Sequence, residues 1–139
     1  MIIYKDRISA EAYNDMRNAV GWKVLDVKQA ETGLENSVYL TVAYDGDRPV
    51  GMARVVGDGG YMNLIADVMV IPEYQKKGIG GQLIKNVNRY LDDLGKDGLC
   101  IMVNLMATAG NEGFYEKYGY VARPNETMGA GMVRWINDD

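Results

Sequence analysis

Apolar and polar positions change period several times along the chain, and each change marks an element. Val38, Leu40, Val42 and Tyr44 fall on alternate positions, which predicts a strand over 38–44. Asp45-Gly46-Asp47-Arg48 reads as a turn, Pro49 to Val56 as the returning strand, and Gly57 to Gly60 as the next turn. Tyr61 to Ile71 is a third strand, apolar from Ala66 onward except for Asp67. Pro72 ends it, because proline has no N–H to give a ladder. From Ile79 the spacing becomes helical: Ile79, Leu83, Val87, Tyr90, Leu91 and Leu94 share one face, and Gly95 suits the C-terminus. Leu99 to Leu105 is a nearly all-apolar strand, and a right-handed strand–helix–strand crossover sets it parallel to the third strand of the meander.

The flanks follow the same logic. Met1 to Tyr4 is a short strand. Ser9 N-caps a helix running to about Val20, with Tyr13, Met16 and Val20 on one face and Ile8 packing on Tyr13 as a staple. Gly21-Trp22 ends it, and Gln29 to Glu35 is a short second helix. Near the far end Phe114 and Tyr118 share the face of a helix that Gly119 terminates. Tyr120 to Ile136 is expected to add antiparallel strand at the sheet edge. No linker or repeat divides the chain, so one domain over 1–139 is expected.

Composition narrows the chemistry. The chain has no histidine. Ser-His-Asp and Cys-His catalysis and His-containing zinc sites are excluded, and no metal is expected. Proton transfer then falls to carboxylates, tyrosine, lysine, cysteine or water. The net charge of −4 argues against nucleic acid as a partner and is compatible with a cationic acceptor such as an amine. No apolar run approaches the roughly 18 residues of a membrane span, and no signal peptide is visible. The single cysteine, Cys100, lies in an apolar run and is expected to be a buried small hydrophobe, which fits a reducing, cytoplasmic setting.

Gln75 to Gly81 places two lysines and three glycines in seven positions between a strand and a helix. A helix start carries unpaired N–H groups and a partial positive charge, and glycines let an anion approach them. The segment therefore predicts a phosphate cradle. It is not a P-loop, since no lysine and hydroxyl follow the glycines. It is not a dinucleotide fingerprint, since Leu83 stands where the third glycine belongs. What remains, Gln75-Lys76-Lys77-Gly78-Ile79-Gly80, resembles the Q/R-x-x-G-x-G/A signature of the GNAT superfamily of N-acetyltransferases. Phe114-Tyr115-Glu116-Lys117-Tyr118-Gly119-Tyr120 resembles that family's second signature, in the order and spacing the family shows.

The resemblance implies an α/β fold: a mixed, mostly antiparallel sheet of six to seven strands flanked by about four helices. Two parallel strands splay apart in it to make a slot for acetyl-CoA, the cosubstrate. Carried over by position, the backbone of Val68, Met69 and Val70 lies along the pantetheine arm. The segment Lys76, Lys77, Gly78, Ile79, Gly80 and Gly81, with Gln75 beside it, takes the pyrophosphate. Tyr115 holds the position of the acid that protonates the leaving thiolate; its alternative role is to pack on or hydrogen-bond to CoA. Asp67 is the candidate base, with an incoming ammonium or Arg54 as its partner. Asn111 is a further contact, or only a helix-start residue, and Thr108 stands where the family often has asparagine. Trp22 belongs either to the acceptor pocket or to the core, and Met128 to Met132 either shape the acceptor site or form turns. The implied reaction moves an acetyl group to a primary amine of a small molecule by direct attack. Two alternatives stand beside it: a protein lysine or N-terminus as acceptor, and a CoA-binding sensor without catalysis. Homodimerisation is an expectation by analogy alone.

Overall fold

The computed structural model describes residues 1–138, which form two compact units, residues 1–105 and 106–138. The first unit runs β1 (Ile2–Lys5), α1 (Ala10–Ala19), α2 (Val27–Glu35), β2 (Tyr39–Asp45), β3 (Arg48–Gly57), β4 (Met62–Val70), α3 (Ile79–Leu94) and β5 (Met102–Leu105). A single 3-10 turn, Pro72–Tyr74, joins β4 to the approach of α3. The five strands lie in sequence order; all neighbouring pairs are antiparallel except β4 with β5, which is parallel.

Local chemistry explains the boundaries. Ser9 caps α1 by accepting from the Ala12 N–H at 3.1 Å, and Asp26 caps α2 by accepting from Gln29. Helix α2 therefore begins at Val27, two residues before the periodicity alone suggests. In β3 the consecutive residues Val50, Gly51, Met52 and Ala53 are all buried. Successive strand residues point to opposite faces, so both faces of the sheet are covered at this point. Helix α3 packs on β2, β3 and β4, and α1 packs on α2, β3 and β4. The largest fully buried side chains include Met52, Leu83, Ile84, Val42 and Val87, which fixes the core between α3 and the middle of the sheet.

Two expectations are corrected. The sheet has five strands rather than six or seven: among the described residues, 120–138 contain no strand. Pro124 cannot donate to a ladder. Asn125 turns the chain back on itself, its N–H bonding Met128 O at 2.8 Å while its side-chain oxygen accepts from the N–H groups of Thr127 and Met128. Cys100 is exposed, not buried. Pairing of β5 begins only at Met102, opposite Met62, so Leu99 and Cys100 precede the first strand partner and both stand in solvent.

In the second unit α4 spans Glu112–Glu116. Phe114 packs edge-on against Tyr115 at 5.0 Å and Tyr118 at 5.4 Å, and Gly119 turns the chain at φ +95.

Candidate active site

The strand end, glycine turn and helix start fall where the sequence places them. Gly78 takes the left-handed conformation at φ +83 immediately before α3, and no side chain caps that helix. The first amide of α3 with a helical acceptor is that of Gln82, which bonds Gly78 O at 3.1 Å. The N–H groups of Ile79, Gly80 and Gly81 therefore point out of the helix end with no carbonyl to receive them. Lys76 also stands at positive φ, +61, and both Lys76 and Lys77 are exposed. This donor set, open amides with two cations beside them, fits a diphosphate.

Contacts to the β2–β3 turn hold the loop. Tyr74 donates to Asp45 at 2.5 Å, and Arg48 meets Glu73 at 2.9 Å. Backbone hydrogen bonding and Arg48 keep the Glu73 carboxyl below its usual range. Lys77 lies over the Tyr74 ring at 5.4 Å. Gln75 turns back toward the strand, its amide donating to Val70 O at 2.9 Å, so this side chain braces the loop.

The second feature is a break in β4. Its pairing with β5 ends at Ile65 opposite Leu105, and residues 66–70 continue without a β5 partner. Between Arg54–Ala66 and Met52–Met69, β4 carries one residue more than β3. That extra residue makes a bulge, and Asp67 sits in it at φ +53. Beyond the bulge Ile71 donates to Val50 O. Alternation of antiparallel pairing then turns the backbone groups of Val70 away from β3, where its carbonyl accepts from Gln75. Val68 and Val70 are half-buried, whereas the Met69 side chain is in the core.

Asp67 is held from three sides. Tyr13 donates to its Oδ2 at 2.6 Å, Arg54 Nε donates to the same oxygen at 2.7 Å, and Arg17 Nη1 meets Oδ1 at 3.2 Å. Burial, and then the bond to Asp67, push the Tyr13 phenol above its ordinary range, so it stays a donor. Arg17 also donates to Lys23 O, and Arg54 to Gly33 O and Ser37 Oγ. The network ties α1, the segment after it, the end of α2, β3 and β4 to one carboxylate. Of the two partners weighed for Asp67, Arg54 is the one the fold supplies. Arg17 and Tyr13 were not read from the sequence as its partners; their four-residue spacing on α1, with a charge one turn after a core tyrosine, was the available signal. Trp22 is half-buried, with the Arg17 guanidinium 5.6 Å from its ring.

In the second unit Tyr115 lies between Phe114 and Tyr120, the latter at 6.5 Å, and burial pushes its phenol above its ordinary range. The Asn111 side chain donates to Thr108 Oγ1 at 2.5 Å. Met128 is half-buried, and Gly129 O accepts from Arg123. No group of three or more potential metal ligands occurs among the described residues.

Comparison with known proteins agrees with this geometry. A profile of the acetyltransferase (GNAT) domain matches residues 36–122, across both units. The GCN5-related N-acetyltransferase 1, chloroplastic, of Arabidopsis thaliana is 31% identical over 129 residues, 91% of this chain; the chain spans 64% of that relative's length. A probable acetyltransferase of methicillin-resistant Staphylococcus aureus superposes with a TM-score of 0.85 at 28% identity, over 98% of this chain and all of the other. A GNAT-family acetyltransferase of Streptococcus pneumoniae gives 0.73 at 30% identity, over the whole of this chain and 98% of the other. On the domain profile and on these likenesses, the chain belongs to the GNAT acetyltransferase family.

Proposed function

We propose that the chain is an acetyl-CoA-dependent N-acetyltransferase acting on a primary amine of a small molecule, with both units working as one domain. The observation that carries this reading is the uncapped, glycine-opened start of α3 beside a strand whose parallel pairing stops at Ile65. Acetyl-CoA supplies the acetyl group as an activated thioester. In this reading the amides of Ile79, Gly80 and Gly81, with Lys76 and Lys77, hold its diphosphate. The backbone of Val68, Met69 and Val70 runs beside the pantetheine arm, and a backbone N–H there stabilises charge developing on the acyl oxygen. Tyr115 stays protonated at neutral pH and is proposed as the acid for the departing thiolate. Asp67, whose oxygens already accept three donors, serves this site by holding the bulge; water is the proposed carrier of the amine's proton. Asn111 is proposed to position the start of α4.

A rice relative, 29% identical over 127 residues, is named serotonin N-acetyltransferase 2, chloroplastic, which supports a small amine as the acceptor class. No helix is long and apolar enough to cross a membrane among the described residues. The cytoplasmic setting stays part of the proposal, since the two relatives named above are chloroplastic. The test is thiol release from acetyl-CoA with an amine panel, alongside calorimetry with CoA. Turnover with an amine supports the reading. Tight CoA binding without thiol release from any amine refutes it and favours the sensor alternative, whereas acetyl label transferred to protein bands in a cell extract favours a protein acceptor.

A further inference from the structure

The Asp67 cluster carries more positive charge than its bulge requires. One carboxylate meets two guanidiniums, and Asp67 is the ion-pair partner of both Arg17 and Arg54. Their side chains are 14% and 18% exposed. The hydrogen bonds described use Nε and Nη1 of each arginine, which leaves Nη2 of each without one. Among the described residues no fully enclosed side-chain nitrogen or oxygen lacks a partner, so neither Nη2 is fully enclosed. Both arginines are anchored on Asp67, one residue before Val68 on the strand segment that has left β5.

We propose that Arg17 and Arg54 form an anion subsite beside the acyl position, so that the acceptor is an amine carrying a carboxylate or phosphate group. This rests on the acetyltransferase reading above. The geometry favours it because Asp67 fixes both guanidiniums at the ends of one carboxylate, with rotamers restrained before any ligand arrives. Trp22 restrains Arg17 further by lying against its guanidinium. An acceptor anion bound there would gain charge-assisted hydrogen bonds at partly desolvated donors and would fix the distance from its own amine to the strand. A plain cationic amine gains nothing from this pair.

The experiment uses the full chain and two matched probe pairs, β-alanine against n-propylamine and O-phosphoethanolamine against ethanolamine. Thiol release from acetyl-CoA is measured for each. The member bearing the carboxylate or phosphate in at least one pair is expected to show kcat/KM about tenfold or more above its plain-amine partner, carried by KM. The pair that shows it separates carboxylate from phosphate. Arg17→Gln should bring that ratio close to one, with CoA affinity as the check on folding. Equal or better turnover of both plain amines in the native chain overturns the proposal. Failure of all four probes to release thiol counts against the acetyltransferase reading itself. The anion subsite is then decided separately, by titrating CoA-loaded protein and following the arginine Nε–H resonances. A shift with O-phosphoethanolamine or β-alanine, but not with ethanolamine or n-propylamine, supports the subsite; no shift with either anion overturns it.

Discussion

Replacing Asp67 tests the physical claim at the centre of the fold, that one carboxylate maintains the β4 bulge. Its side chain is 12% exposed and meets two arginines at 14% and 18%. Removing one partner of a buried ion pair costs about 3–5 kcal/mol. The lower end applies because each arginine keeps other acceptors, Lys23 O for one and Gly33 O with Ser37 Oγ for the other. Asp67→Ala should therefore lose about 3 kcal/mol from the network, and about 1 kcal/mol more because alanine tolerates φ +53 poorly. Asp67→Gly should show the first loss without the second. Asp67→Asn keeps the shape and the tolerance of positive φ and should lose about 2 kcal/mol. The order of stability is then native, Asn, Gly, Ala, with the alanine variant melting roughly 10 °C below the native chain. Thermal unfolding followed by circular dichroism and by tryptophan fluorescence measures it, with Trp22, beside Arg17, and the exposed Trp135 both contributing to the fluorescence. An alanine variant within about 0.5 kcal/mol of the native chain would refute the reasoning, since that is the range of ordinary surface substitutions. So would an alanine variant no less stable than the glycine one, because the backbone would then carry no strain at this residue.

Three further outcomes are expected. Tyr115→Phe should lower kcat while leaving CoA affinity unchanged. Burial raises this phenol above its ordinary range, so alkaline loss from this group in the native chain should come later than for a free phenol, and a rate unaffected by the substitution removes its acid role. Gly78→Ala should cost about 1–2 kcal/mol of stability through φ +83 alone, because an added Cβ meets no atom within 4 Å, and should weaken CoA binding as read by calorimetry. The Lys76→Ala, Lys77→Ala double variant should bind CoA about tenfold more weakly at low salt, a gap that closes as salt rises; a salt-independent gap would point to a folding defect instead.

Which parts of this molecule were legible from the chain follows from how local their causes are. The α3 cradle depends on a strand end at Pro72, glycines at 78, 80 and 81 and an apolar period that begins at Ile79, all within one stretch. Ser9 as the cap of α1 and Gly95 as the C-cap of α3 were readable for the same reason. The parallel β4–β5 pair followed from the handedness of a strand–helix–strand crossover, and two signatures in order pointed to the family.

What tertiary structure decided concerns pairings between distant residues. Asp67 was visible as an odd charge in an apolar strand. That Tyr13 and Arg17 reach it from 54 and 50 positions away depends on how α1 lies against the sheet, which no local period encodes. Cys100 looked buried because its neighbours are apolar, yet burial depends on where pairing starts, and β4 offers no partner before Met102. The strand expected after Tyr120 failed because the Asn125 turn won over hydrophobic content. The sequence by itself set the glycine-opened helix start and the family; only the folded chain set two guanidiniums on one carboxylate at the bulge, because ion pairing of half-buried groups is chosen by proximity in space.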